Sequence, residues 1–141
     1  MPRIQPHTVI VICGPTASGK TDLAAEVASR LDTAIISADS RQCYREMTIG
    51  TAKPGPEVLE RVPHYFINSH SVTSPVNAGI FEDLALGYAA EIFRTSRTAI
   101  LCGGTGLYVR AFCQGIDAIP RVPDQVRQQV RIGQAGQDFG F

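Results

Sequence analysis

Gly14-Pro15-Thr16-Ala17-Ser18-Gly19-Lys20-Thr21 carries the residue types that hold phosphate oxygens, at the spacing G-x-x-x-x-G-K-[ST]. Glycines let successive backbone N–H groups converge on an oxyanion, and the N-terminus of the helix that follows adds a favourable dipole. Lys20 neutralises charge and the Thr21 hydroxyl can ligate Mg²⁺. A diphosphate fits this cradle as well as a triphosphate. The loop leaves open whether a bound phosphoryl group is transferred or departs, because lysine and magnesium serve both reactions. Asp39 is the next informative residue, and it has three readings. It is a strand-end acid that helps hold magnesium in a small-molecule kinase, a general base beside a diphosphate, or a simple turn residue. A kinase also needs arginines over the γ-phosphate, and Arg94, Arg97 and Arg110 form no lid-like cluster.

These residues need a scaffold, and the apolar pattern supplies one. Thr8 to Cys13 is β-branched without polar alternation, which predicts a strand buried on both faces of a parallel sheet. Leu23, Val27 and Leu31, flanked by Ala24 and Ala28, then describe one face of a helix. Ala34 to Ala38 is a second strand that releases the chain at Asp39-Ser40, the strand end where ligands bind in such sheets. Pro56 opens a short helix carrying Val58 and Leu59, and His64 to Ile67 reads as a third strand. Asn77 caps a helix whose face is Ile80, Phe81, Leu84, Ala85, Tyr88 and Ile92. Thr98 to Cys102 is a fourth strand closed by Gly103-Gly104, and a helix starting near Thr105 runs through Leu107 and Ala111. A last polar helix is expected from Asp124 to about Arg131, before a Gly- and Gln-rich tail. The fold class is therefore α/β, a P-loop NTPase-like, mostly parallel sheet with flanking helices. Residues 1–131 form its core and 132–141 an irregular tail. Four strands leave one sheet edge bare, so a truncated piece of a larger domain is expected.

Composition narrows the partners. The 13 basic and 13 acidic residues cancel, which removes any whole-chain electrostatic argument for nucleic acid or membrane and leaves only local patches. The apolar run Val9 to Cys13 is far too short to span a bilayer, so no membrane association and a cytoplasmic location are expected. Cys13, Cys43, Cys102 and Cys113 lack Cys-x-x-Cys spacing, and Cys13 and Cys102, at the ends of apolar runs, are expected to be buried thiols. His7, His64 and His70 are scattered, without metal-ligand spacing, and belong at the surface or at strand edges.

Several segments together resemble the tRNA dimethylallyltransferase family, also called tRNA isopentenyltransferases. They are GPTASGKT, then ISADSRQCYREMTIGTAKP from Ile36 to Pro54, VPHYFI from Val62 to Ile67, and GGTGLYVRAFCQG from Gly103 to Gly115. The resemblance runs to about Arg131. It implies transfer of the prenyl group of dimethylallyl diphosphate to N6 of adenosine 37, next to the tRNA anticodon, with diphosphate released with the help of Mg²⁺. It further implies that the loop from Gly14 to Thr21 holds the diphosphate, that Lys20 and metal on Thr21 stabilise it as it leaves, and that Asp39 is the base. Asp39, Ser40, Arg41 and Gln42 would contact the target nucleotide, Thr105 would lie where donor and adenine meet, and Arg127 would be a further tRNA contact. N6 within a stacked loop is hard to reach, so the base must be splayed out, and Ser40 and Gln42 would read its edge. On that reading Gln42→Ala hurts tRNA turnover far more than donor binding. Family members continue with a second half that Gly133 to Phe141 does not resemble, and in this chain donor binding could outlive turnover. A monomer is expected. The alternatives at this stage are an ATP-dependent small-molecule kinase and an inactive fragment that retains only diphosphate binding.

Overall fold

The computed structural model describes residues 6–15, 18–115 and 125. Four parallel strands form one sheet: β1 (Thr8–Cys13), β2 (Ile35–Ser37), β3 (His64–Tyr65) and β4 (Thr98–Gly103), in the order β1-β4-β2-β3. The helices are α1 (Lys20–Leu31), α2 (Pro56–Arg61), α3 (Ala78–Ile92) and α4 (Gly106–Gln114). Alternation along the strands divides the core into two layers, because neighbouring side chains point to opposite faces. Ile35, Ile100 and Cys102 pack with Ala24, Ala25 and Ala28 of α1 and with Val58 and Val62 around α2. Ile36, Ala38, Ala99 and Leu101 face the other way, onto Phe81, Ala85 and Ile92 of α3 and Tyr108 of α4. Phe81 and Tyr108 stack with ring centroids 4.5 Å apart, joining α3 to α4. The order β1-β4-β2 inserts β4 between the two strands whose C-terminal ends carry the phosphate loop and Asp39.

The expected order of strands and helices is found, with differences of physical interest. Among the described residues β1 pairs only with β4, and Val11 is 38% exposed, so β1 is not buried on both faces. Its β-branched run favours any extended strand and carries no information on neighbours. Helix α1 buries its alanines, while Leu23 and Leu31 are exposed. Small side chains let the helix approach the sheet closely, so the larger residues are displaced to its flanks. Strand β3 ends after Tyr65 because Phe66 turns into the left-handed region at φ 67°. Ile80 and Leu107 lie at the exposed margins of α3 and α4, and Cys13 is exposed whereas Cys102 is buried. Apart from Gln125, which is helical, the expected helix from Asp124 to Arg131 and the tail 132–141 lie outside the described residues. Asn77 does cap α3, its Oδ1 accepting from the Ile80 N–H at 2.9 Å. No helix among the described residues is long and apolar enough to cross a membrane.

Candidate active site

The C-terminal ends of β2 and β4 are stitched together. The Ala38 N–H donates to the Cys102 carbonyl at 2.8 Å, and the Ala38 carbonyl accepts from the Thr105 N–H at 3.2 Å. Gly103 lies against that peptide so closely that a Cβ there would stand 2.1 Å from the Ala38 oxygen. No side chain fits, which gives this glycine a packing reason independent of any ligand. Two residues past Ala38 the seam continues through the Thr105 side chain, since the Ser40 N–H donates to Thr105 Oγ1 at 3.0 Å. Asp39 is thereby held above the sheet end, and its Oδ1 accepts from the N–H groups of Arg41 at 2.8 Å and Gln42 at 3.1 Å. This is the turn-forming role open to an aspartate, carried by one carboxylate oxygen.

The phosphate loop approaches from β1. Gly19 adopts φ 82° immediately before α1, a left-handed conformation that favours glycine. Ser18 Oγ donates to the Pro15 carbonyl at 2.7 Å, and Lys20 Nζ reaches the same oxygen at 3.1 Å, folding the lysine over its own loop. A cleft of about 360 Å³ separates loop and strand end, lined by Lys20, Thr21, Asp22, Asp39, Gln42 and Thr51 among others. Its chemistry is polar, with Lys20, Thr21 and Asp22 on the α1 side and Asp39 on the side of the β2 end. Cys102 forms part of the floor, and burial pushes its thiol above the usual range while nearby Lys20 pulls it down. It is therefore an inert thiol at neutral pH.

Gln42 is committed to the protein. Its Nε2 donates to the carbonyls of Thr51 at 3.0 Å and Ala52 at 3.1 Å, and its Oε1 accepts from Ser37 Oγ at 3.2 Å. Reading a base edge would require it to surrender these bonds. The structure thus brings Ser18, Gly19, Lys20, Thr21, Asp39 and Gln42 onto one cleft and sets Ser40 and Thr105 beside it, hydrogen-bonded to each other. Gly14 and Pro15 lie at the strand exit, in a neighbouring groove, and Arg41 points to solvent. Thr16, Ala17 and Arg127 lie outside the described residues. Residue reasoning gave no role to Thr51 and Ala52, which line the cleft from the IGTAKP segment. The IGTAKP segment is distinctive as a whole, but nothing in the types of Thr51 and Ala52 announces chemistry.

Residues 42–139 match the family model described as IPP transferase. The chain belongs to the IPP transferase family. Among curated IPP transferase relatives, tRNA dimethylallyltransferase 2 of Porphyromonas gingivalis is 48% identical over 126 residues, covering 89% of this chain and 42% of that protein. The tRNA dimethylallyltransferase of Acaryochloris marina is 46% identical over 129 residues, covering 92% and 42%. The chain spans about two fifths of the length of the curated relatives it matches. Among solved IPP transferase structures, the tRNA isopentenylpyrophosphate transferase of Bacillus halodurans superposes with a TM-score of 0.76 at 36% identity, over 95% of this chain and 44% of that one. A eukaryotic dimethylallyltransferase acting on tRNA gives 0.72 at 26% identity, over 93% and 33%. The P-loop NTPase-like sheet with flanking helices is thus the fold of this IPP transferase chain as well.

Proposed function

We propose that the cleft binds dimethylallyl diphosphate and that the protein transfers its prenyl group to N6 of adenosine 37 in tRNA. The observation that carries this reading is the placement of Lys20 and Thr21 across one cleft from Asp39, in a chain whose relatives are named tRNA dimethylallyltransferases. The diphosphate lies on the phosphate loop, and Lys20 leaves the Pro15 carbonyl to meet it. Thr21 would offer a hard oxygen donor of the kind that suits Mg²⁺. When bound, the ion supplies charge neutralisation of the departing diphosphate.

In the transfer itself, the N6 lone pair forms a bond to C1 of the dimethylallyl group as the C1–O bond breaks, and that electron pair leaves on the diphosphate. Lys20 then stabilises charge that is larger in the transition state than in the bound donor. Asp39 takes the N6 proton through the oxygen not committed to its turn. Thr105 fixes the backbone at Ser40, so the strand end keeps its geometry while the base enters. The protein works on this reading as a cytoplasmic monomer.

The test is incubation of the chain with dimethylallyl diphosphate, Mg²⁺ and an anticodon stem-loop RNA, followed by mass spectrometry of the RNA. One dimethylallyl group gained at the target adenosine, lost when that base is changed to guanosine, is the expected result. RNA of unchanged mass beside a chain shown to bind the donor would remove transfer from the reading and leave donor binding alone.

A further inference from the structure

Ile49 is 99% exposed, at the tip of a turn that is otherwise tightly braced. Gly50 at φ 74° and Ala52 at φ 53° bend the chain sharply on either side of Thr51. Thr51 is buried, and its Oγ1 lies 2.9 Å from the Thr48 carbonyl and 3.3 Å from that of Met47, closing the turn from within. Gln42 clasps the Thr51 and Ala52 carbonyls, and Lys53 Nζ donates to the Tyr44 carbonyl and to Asn68 Oδ1, both at 2.7 Å. A segment held at this many points has a fixed shape, so the exposure of Ile49, where Met47 in the same turn is partly buried, is a property of the fold. The same segment forms a wall of the cleft through Thr51 and Ala52, so Ile49 stands two residues along the chain from a cleft-lining side chain.

The surroundings are cationic. Arg41 and Arg45 are both exposed on the turn that leads from Asp39 to this tip, and neither forms a salt bridge among the described residues. The acidic neighbour Glu46 is turned onto Ser71 Oγ at 2.6 Å and the Val72 N–H at 3.2 Å. An apolar tip flanked by two exposed arginines, next to the wall of a cleft that must admit one base, matches a nucleic-acid loop rather than an apolar protein surface. Arginines pair with phosphates, and an apolar side chain fills the space left in a stack when a base is withdrawn.

We propose that the 45–51 turn is an RNA-contacting element, in which Ile49 occupies the gap left by the extruded adenosine and Arg45 holds a phosphate of the same loop. This rests on the reading of tRNA as the acceptor. Ile49 is a positioning residue, since it acts on the neighbours of the target base and not on the reacting atoms.

The test uses an anticodon stem-loop RNA with 2-aminopurine at the target position, whose fluorescence rises on unstacking, titrated with the 141-residue chain in Mg²⁺. The parent chain is expected to bind with a rise in fluorescence. Ile49→Ala is expected to lose most of that rise and about tenfold in RNA affinity, Ile49→Leu to keep both, and dimethylallyl diphosphate to bind all three equally. Arg45→Gln is expected to lower the slope of log affinity against log salt by about one. A full fluorescence rise and parental affinity in Ile49→Ala would overturn the inference while leaving tRNA as the acceptor. Failure of the parent chain to bind the RNA, with donor binding intact, would overturn the acceptor reading and this inference together.

Discussion

On the proposed reading, Asp39 divides its work between two oxygens. Oδ1 holds the turn through the N–H groups of Arg41 and Gln42, so removal of the whole side chain would disturb shape and chemistry at once. Asp39→Asn separates them, because the amide oxygen can still accept both bonds while the proton acceptor is lost. We expect prenyl transfer to fall about 10²- to 10⁴-fold with little change in thermal midpoint, the range of a lost general base. Parental turnover in that variant would move the proton to water or to another group. Lys20→Met is expected to lower single-turnover rate more than donor affinity, since charge on the diphosphate grows as the bond breaks. At Gln42 the family resemblance implied a base reader, and an amide offers the donor and acceptor such a role needs. The structure spends both on Thr51, Ala52 and Ser37, and no property of a lone glutamine reveals where its partners will be. Gln42→Ala should therefore cost about 1–3 kcal/mol in urea unfolding, for two carbonyls left without their donor, besides any effect on RNA.

Elements were legible where one face carries a strong apolar pattern and a cap marks the end. Helix α3 is the clear case, with Asn77 at its start and Phe81, Ala85 and Ile92 in the core. Helix α1 was legible as a helix, but its buried face was not. Leucine spacing points one way, whereas the close approach to the sheet selects alanines. Position in the sheet was illegible for β1, since pairing partners are set by the whole topology. The far strand β3 carries a testable group. His64 donates from Nδ1 to the Val62 carbonyl at 2.8 Å, and burial holds its pKa below the ordinary 6.5, with that hydrogen bond opposing. The unfolded chain then binds more protons than the native one between the folded pKa and 6.5, so stability falls as pH drops through that window. Urea midpoints measured from pH 7.5 downward should show this slope, and His64→Gln should flatten it. An unchanged slope would assign the acid sensitivity to other groups.

For the whole molecule, the seam between Ala38, Gly103 and Thr105 makes the site a property of two strand ends at once. Gly103→Ala should destabilise the protein by about 3 kcal/mol or more, because backbone and not a flexible side chain meets the new methyl group. Ligand binding should act in the opposite direction. Dimethylallyl diphosphate with Mg²⁺ at one hundred times its dissociation constant should add about 2.7 kcal/mol to unfolding. ATP raising the midpoint further than the prenyl donor would instead favour the phosphotransfer reading of the loop.

The pairing of β1 with β4 also governs when the site can appear during synthesis. Thr8 meets Thr98, so the strand that launches the phosphate loop waits for a partner made about ninety residues later. Translation at several residues per second means that the first strand is kept waiting for seconds on the ribosome. During that interval Lys20 and Asp39 belong to separate, locally folded pieces at best. If the cleft binds a prenyl donor as proposed, that binding is an emergent late event, since the cleft is complete only after β4 has left the exit tunnel and slotted between the two earlier strands.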